Sequence, residues 1–290
     1  MVDNLLLNTD TPETPSIPKF YYSPDSTIWR INREQIILLG GARALLMQIA
    51  HPLVAESVYH HSYVFTKPVL RLRRTLDLTL SMVFGTVEEV QNATDEINRV
   101  HRPATGRLDN AIGDYQAGTP YNPRNPKLAL WVYATLIEGA LHGYETYLHP
   151  LSAEDKQTYY EDSKKSIGLL GVKPSRLPST YDGLMNYMQT VMTNGEIVVG
   201  ETARKIAPYV LLQTRWYLAP VSYPISKMTT ILLPDPIREQ YGFTMNRVET
   251  IMVQLGLKLT QKTVPRLPAV LRYVPPYRRA MSLLNQPKNS

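Results

Sequence analysis

Apolar residues recur at intervals of three and four in segment after segment, and prolines cut those segments apart. This pattern constrains the fold more than any other feature of the chain. Ile36, Leu39, Ala42, Leu46 and Ala50 form one such stripe, which stops at His51-Pro52. Proline fits the first turn of a helix but not its interior, so one helix ends here and another starts. A third helix begins at Pro68 and ends at Gly85. Thr86 and Glu89 are spaced as a capping box for a fourth, which runs to about His101 before Pro103 and Gly106. Residues 126–149 read as a long apolar helix, and Ser152 with Asp155 caps another through Leu170. Shorter helices follow, punctuated by Pro174, Pro178, Pro208, Pro220 and Pro234. No segment shows the sustained alternation of a strand. The expectation is an all-α fold: a Thr- and Pro-rich flexible arm over residues 1–19, then a single helical domain over 20–285.

Composition narrows the chemistry. With no cysteine, the 290-residue chain cannot use disulfides, thiol nucleophiles, thiolate-ligated haem or iron–sulfur clusters. Any metal must be held by His, Asp, Glu or Tyr. The net charge of +6 comes from scattered residues apart from Arg71–Arg74 and Arg278–Arg279, not from the dense basic stripe of a nucleic-acid binder. It does suit loose contact with an anionic membrane. The longest apolar run, IILLGGARALLMQIA, is interrupted by Arg43 and is shorter than a membrane span, and the N-terminus lacks the pattern of a signal peptide. A cytoplasmic protein, with room for peripheral membrane contact, is expected.

Three of the six histidines, His51, His60 and His61, fall within QIAHPLVAESVYHHS. On one helix, nine residues would place His51 and His60 on opposite sides, so the group is a poor metal trap. A core hydrogen bond or helix cap for His51, and a helix-end position for His60 and His61, is the plainer reading. His101 continues the stripe Val90, Thr94, Ile97. It is either a satisfied core histidine or a neutral imidazole offered to a cofactor, and spacing does not choose between them. Arg71, Arg74 and Thr75 share one face of their helix, which is either solvated or turned into a pocket. Glu56/His60 and Glu138/His142 are two E-x-x-x-H pairs that could contribute to a di-iron carboxylate site, although the usual bundle spacing is E-x-x-H.

Several motifs occur in consistent order over about residues 27–250: GGARALLMQIAHPLVAESVYHHS, P-x-x-RLRRT, VFG, RVHRPATG, YNPRNPKLALWVYATLIEG and LLPDPIREQYGF. Together they resemble the catalytic domain of the rubber oxygenase (latex-clearing protein) and ER-bound fungal oxygenase family. The resemblance implies a globin-like helical core that holds haem b. It aligns His101 with the axial iron ligand, and Arg71, Arg74 and Thr75 with an R-x-x-K-T segment whose basic residue, here Arg74, lies on the oxygen-binding side, while Arg71 is expected to bind the cofactor. Arg74 replaces that lysine and cannot release a proton, which leaves it a hydrogen-bonding role. Tyr133 stands where many bacterial relatives have histidine, and His51 is a second residue expected to line the site. The implied activity is a haem-dependent oxygenase using dioxygen on an apolar, unsaturated or isoprenoid-like substrate, with an external electron donor as a further partner. A non-enzymatic haem- or lipid-binding carrier or sensor is the alternative from another class. Oligomeric state is not legible in the chain.

Overall fold

A computed structural model describes residues 18–212, 217 and 219–285. The expected arm over 1–19 lies outside the described residues as far as residue 17. Lys19 is already tied down, its carbonyl accepting the Val87 N–H at 2.9 Å.

The described chain is all-α apart from one two-stranded ladder. In order, the helices are α1 (Thr27–Asn32), α2 (Gly40–Ile49), α3 (Pro52–His61), α4 (Pro68–Phe84) and α5 (Val87–His101), then strands β1 (Gly106–Arg107) and β2 (Pro120–Tyr121). They continue as α6 (Pro126–Tyr147), α7 (Ala153–Leu169), α8 (Tyr181–Thr193), α9 (Glu201–Val210) and α10 (Ala219–Leu232). The last four are α11 (Asp235–Tyr241), α12 (Arg247–Thr263), α13 (Ala269–Arg272) and α14 (Pro275–Leu284). The antiparallel strands pair Gly106 with Tyr121 and Arg107 with Pro120.

Local chemistry sets many of these boundaries. Pro52, Pro68 and Pro126 each open a helix, where the missing N–H costs nothing. The Thr86 hydroxyl accepts the Glu89 N–H at 3.2 Å, and the Glu89 carboxylate accepts the Thr86 N–H at 2.9 Å, completing the capping box. Pro208 departs from expectation, because it lies within α9 and does not end it. It sits in the last turn, so its missing donor deprives a single upstream carbonyl, and Ile206 and Ala207 beside it are buried. Pro220 lies in the first turn of α10, where it opens a helix as Pro52, Pro68 and Pro126 do.

One large core draws buried side chains from Tyr22 to Ala280, with Trp29 and Trp131 fully enclosed. Both indoles are satisfied: Trp29 donates to the Val83 carbonyl at 2.8 Å, and Trp131 to the Met47 carbonyl at 3.1 Å. The central crossing is α2 on α6. A methyl group on Gly139 would lie 3.1 Å from the Ala44 Cβ, and one on Gly40 would lie 3.0 Å from the Gly139 carbonyl oxygen. Larger side chains at either position would push the helices apart. At this crossing the buried Arg43 guanidinium makes a two-pronged pair with Glu138, and its Nε donates to the Leu232 carbonyl at 2.6 Å. Arginine's planar fork matches a carboxylate on two bonds, which is how a charge within an apolar run stays in the core. Among the described residues, no single helix is long and apolar enough to cross a membrane.

Removing one member of this pair strands the other. Glu138→Ala is expected to lower the unfolding free energy by ~3 kcal/mol or more in urea denaturation, whereas Arg43→Met with Glu138→Leu recovers most of that loss.

Candidate functional site

Helices α4 and α5 are joined by only Gly85 and Thr86, and they pack along each other as a hairpin. Near the closed end the Thr94 hydroxyl meets the Met82 sulfur at 3.5 Å. Near the open end Arg74 of α4 forms an ion pair with Glu96 of α5, and Glu96 also accepts Arg99 at 2.7 Å. Arg71 lies one turn before Arg74, and His101 lies just over one turn beyond Glu96. Both therefore sit at the open end of the hairpin, past the Arg74–Glu96 pair.

The stripe of α5 that carries His101 is buried at Val90 and Thr94, half-buried at Ile97 and exposed at His101. The expected burial thus fades toward the end of the helix. Even so, surrounding atoms hold the His101 imidazole below the ordinary histidine pKa through desolvation. Arg71 shows the same combination: its side chain is half-buried, and desolvation lowers its pKa against a smaller opposing effect of Tyr63. Neither the His101 ring nor the Arg71 guanidinium has a hydrogen-bond or ion-pair partner among the described residues. Arg71 is thus a half-buried cation without a counter-ion, whereas the exposed His101 ring remains open to solvent. This donor set fits a porphyrin, whose iron takes a neutral imidazole and whose propionates take a guanidinium.

The remaining expected site residues are placed differently. Arg74 is exposed and held by Glu96, so its guanidinium is already partnered. The Thr75 hydroxyl donates to the Arg71 carbonyl at 2.9 Å, one turn back. Tyr133 is on α6, whose principal helical neighbours are α2, α8 and α12, and the structure does not bring it into the α4–α5 hairpin. It is half-buried against the main core, burial pushes its phenol well above the ordinary range, and its hydroxyl has no partner among the described residues. His51 is buried and caps α3: its Nδ1 accepts the Leu53 N–H at 3.2 Å, and its Nε2 lies 3.3 Å from the Tyr115 hydroxyl. With both nitrogens engaged it has none to offer a metal.

His60 and Glu56 do meet, at 3.1 Å, and Asp109 joins them 3.7 Å from the same His60 nitrogen. Among the described residues this is the only group of three or more such side chains with ligand atoms close enough to hold a metal. Sequence spacing found the Glu56–His60 pair but missed Asp109, which arrives from the loop after α5 and carries no local signal. Glu56 is also bound by the Thr202 hydroxyl at 2.5 Å. The second pair does not join the first. Both Glu138 oxygens are taken by Arg43, so the two E-x-x-x-H pairs do not assemble the bridging glutamates of a di-iron site.

The described residues fold into an all-α domain, with His101 and Arg71 at one end of the α4–α5 hairpin. Comparison with protein families is more specific. Over residues 29–262 the chain matches the family described as ER-bound oxygenase mpaB/B'/rubber oxygenase, catalytic domain. It belongs to that family, and the broad enzyme class is therefore oxidoreductase. No curated protein and no solved structure shows a match.

His51 links the folded state to pH. Burial lowers its pKa from the ordinary 6.5 to about 4, so the unfolded chain binds more protons than the folded one between those values. Stability is expected to fall by about 3 kcal/mol as pH drops through that window, since each tenfold rise in acidity across it costs about 1.4 kcal/mol. His51→Asn keeps a capping oxygen without the titration, and chemical denaturation at several pH values should show a flatter profile.

Proposed function

We propose that this chain is a haem b-dependent oxygenase that uses dioxygen on an apolar, unsaturated or isoprenoid-like substrate, with electrons from an external donor. The family supports oxygenase chemistry. The observation that supports haem is the pairing of an unpartnered imidazole, His101, with an unpartnered guanidinium, Arg71, at one end of the α4–α5 hairpin.

In this reading His101 holds iron through a ring nitrogen that desolvation keeps unprotonated at neutral pH. Arg71 binds and orients the cofactor's carboxylates, and their charge offsets the guanidinium's lost hydration. Haem, when bound, supplies the activation of dioxygen. Arg74 keeps a structural part, because its bond to Glu96 holds α4 against α5 and so fixes the separation of Arg71 and His101. Acting as the hydrogen-bond donor toward oxygen would require Arg74 to leave Glu96. Thr75 would similarly have to leave the Arg71 carbonyl. These two engagements favour a second reading from another class, a haem-binding carrier or sensor without turnover.

The test begins with haem titration of purified protein, supplemented with haem during expression. Wild type should develop a Soret band that His101→Ala abolishes or shifts. Arg71→Leu should weaken haem binding roughly thirtyfold, the loss of about 2 kcal/mol from one charge-assisted interaction. Arg74→Lys should bind haem as wild type does. Oxygen uptake with reductant and a panel of alkenes and isoprenoids then separates oxygenase from carrier. Protein that never develops a Soret band under these conditions would sink both readings.

A further inference from the structure

Helix α12 has two apolar sides, and only one of them is buried among the described residues. Val253 is buried on the inner side, with Leu257 half-buried. On the other side Val248, Ile251, Met252, Leu255 and Leu259 recur at helical spacing in a stripe about 100° wide. Their exposures run from 46% at Ile251 to 69% at Val248, whereas an ordinary surface helix would carry polar residues there. Leu267, Val270 and Leu271, which follow in sequence, are exposed as well.

The charges around this stripe are all of one sign. Arg247 and Lys258 lie along one of its edges and Lys262 within it near its C-terminal end, and none of the three has an acidic partner among the described residues. The only acidic residue of α12, Glu249, is on the inner side, where Lys227 and the Tyr223 hydroxyl bind it at 2.7 and 2.8 Å. From Thr250 to Ser290 the chain contains seven Lys or Arg and no Asp or Glu. A second copy of the chain docking through a two-fold axis would set these like charges side by side, with no acid to offset them. An anionic lipid surface complements both parts of the pattern: acyl chains take the apolar stripe and headgroups take the lysines.

We infer that α12 is a membrane-docking helix, lying along an anionic bilayer with Val248, Ile251, Met252, Leu255 and Leu259 inserted and Lys258 and Lys262 at headgroup level. This inference is independent of the haem reading, because no residue of the candidate haem site takes part in it.

Vesicle co-sedimentation of the full chain tests it, using phosphatidylcholine alone and phosphatidylcholine mixed with phosphatidylglycerol. Binding to the mixed vesicles is expected. Lys258→Gln with Lys262→Gln should weaken it about 30-fold at low salt, from ~1 kcal/mol per charge near the surface. Leu255→Gln with Leu259→Gln should weaken it tenfold or more. These side chains are exposed, so unchanged urea midpoints will show that the variants fold. The chain has no cysteine, so Leu255→Cys offers a single position for an environment-sensitive dye. Its emission should shift to the blue on anionic vesicles, and that of Glu154→Cys on α7 should not. The inference is overturned if the wild type stays in the supernatant, if neither double variant changes binding, or if the protein is a dimer in solution that Leu255→Glu separates.

Discussion

The Arg43–Glu138 pair sits where α2 and α6 cross, and much of the remaining architecture depends on that crossing. Small residues at Gly40, Ala44 and Gly139 bring the two backbones close together. Close approach excludes water, so a charge in the crossing must find its counter-charge within it. Arg43 does this with both prongs of its fork and uses Nε to reach Leu232 at the end of α10. Further bonds converge on the end of α2. Trp131 donates to the Met47 carbonyl, and the Tyr241 hydroxyl donates to the Leu46 carbonyl at 2.7 Å. The pair contributes less by net attraction than by making any other register of α2 on α6 costly.

The same accounting of charges separates two arginines one turn apart. Arg74 meets Glu96 and is satisfied within the protein. Arg71 is more crowded yet has no acid to meet. Equal residues on a common helical face therefore have unequal meanings: one holds the hairpin together, and the other retains an unmet demand for negative charge. The resemblance placed both on one segment, with Arg74 on the oxygen-binding side, and their long-range partners distinguish them.

This distinction marks where the sequence was legible. Helix starts at Pro52, Pro68 and Pro126, and the Thr86–Glu89 box, depend on residues within a turn of one another, so local reading found them. The helical character of the chain was legible for the same reason. Pro208 misled because its position in a last turn costs one hydrogen bond, and the burial of Ile206 and Ala207 outweighs that loss. Asp109 beside His60 and Glu138 beside Arg43 were invisible because each pair joins distant segments. The fading burial of α5 toward His101 is not recorded by any periodicity within α5.

The histidines bring these strands together. His51 is engaged by Leu53 and Tyr115, His60 by Glu56, His61 by the Tyr121 hydroxyl at 3.3 Å, and His149 by Tyr144 and the Pro150 carbonyl. Among the described residues only His101 and His142 lack such bonds. Both are held below the ordinary histidine pKa, chiefly by desolvation, so both present a neutral ring. At His142, however, Arg43 adds a further downward push, and the adjacent Glu138 has given both oxygens to Arg43. Glu138 and Glu145 push the other way, but Glu138 is committed to Arg43, and Glu145 to Lys156 and the Leu151 N–H. At His101 desolvation alone lowers the pKa, and the ring keeps an open edge. Clustering in sequence drew attention to the three histidines near residue 60. Under the proposed haem reading the ligand is instead the isolated His101 imidazole, which has no hydrogen-bond partner among the described residues.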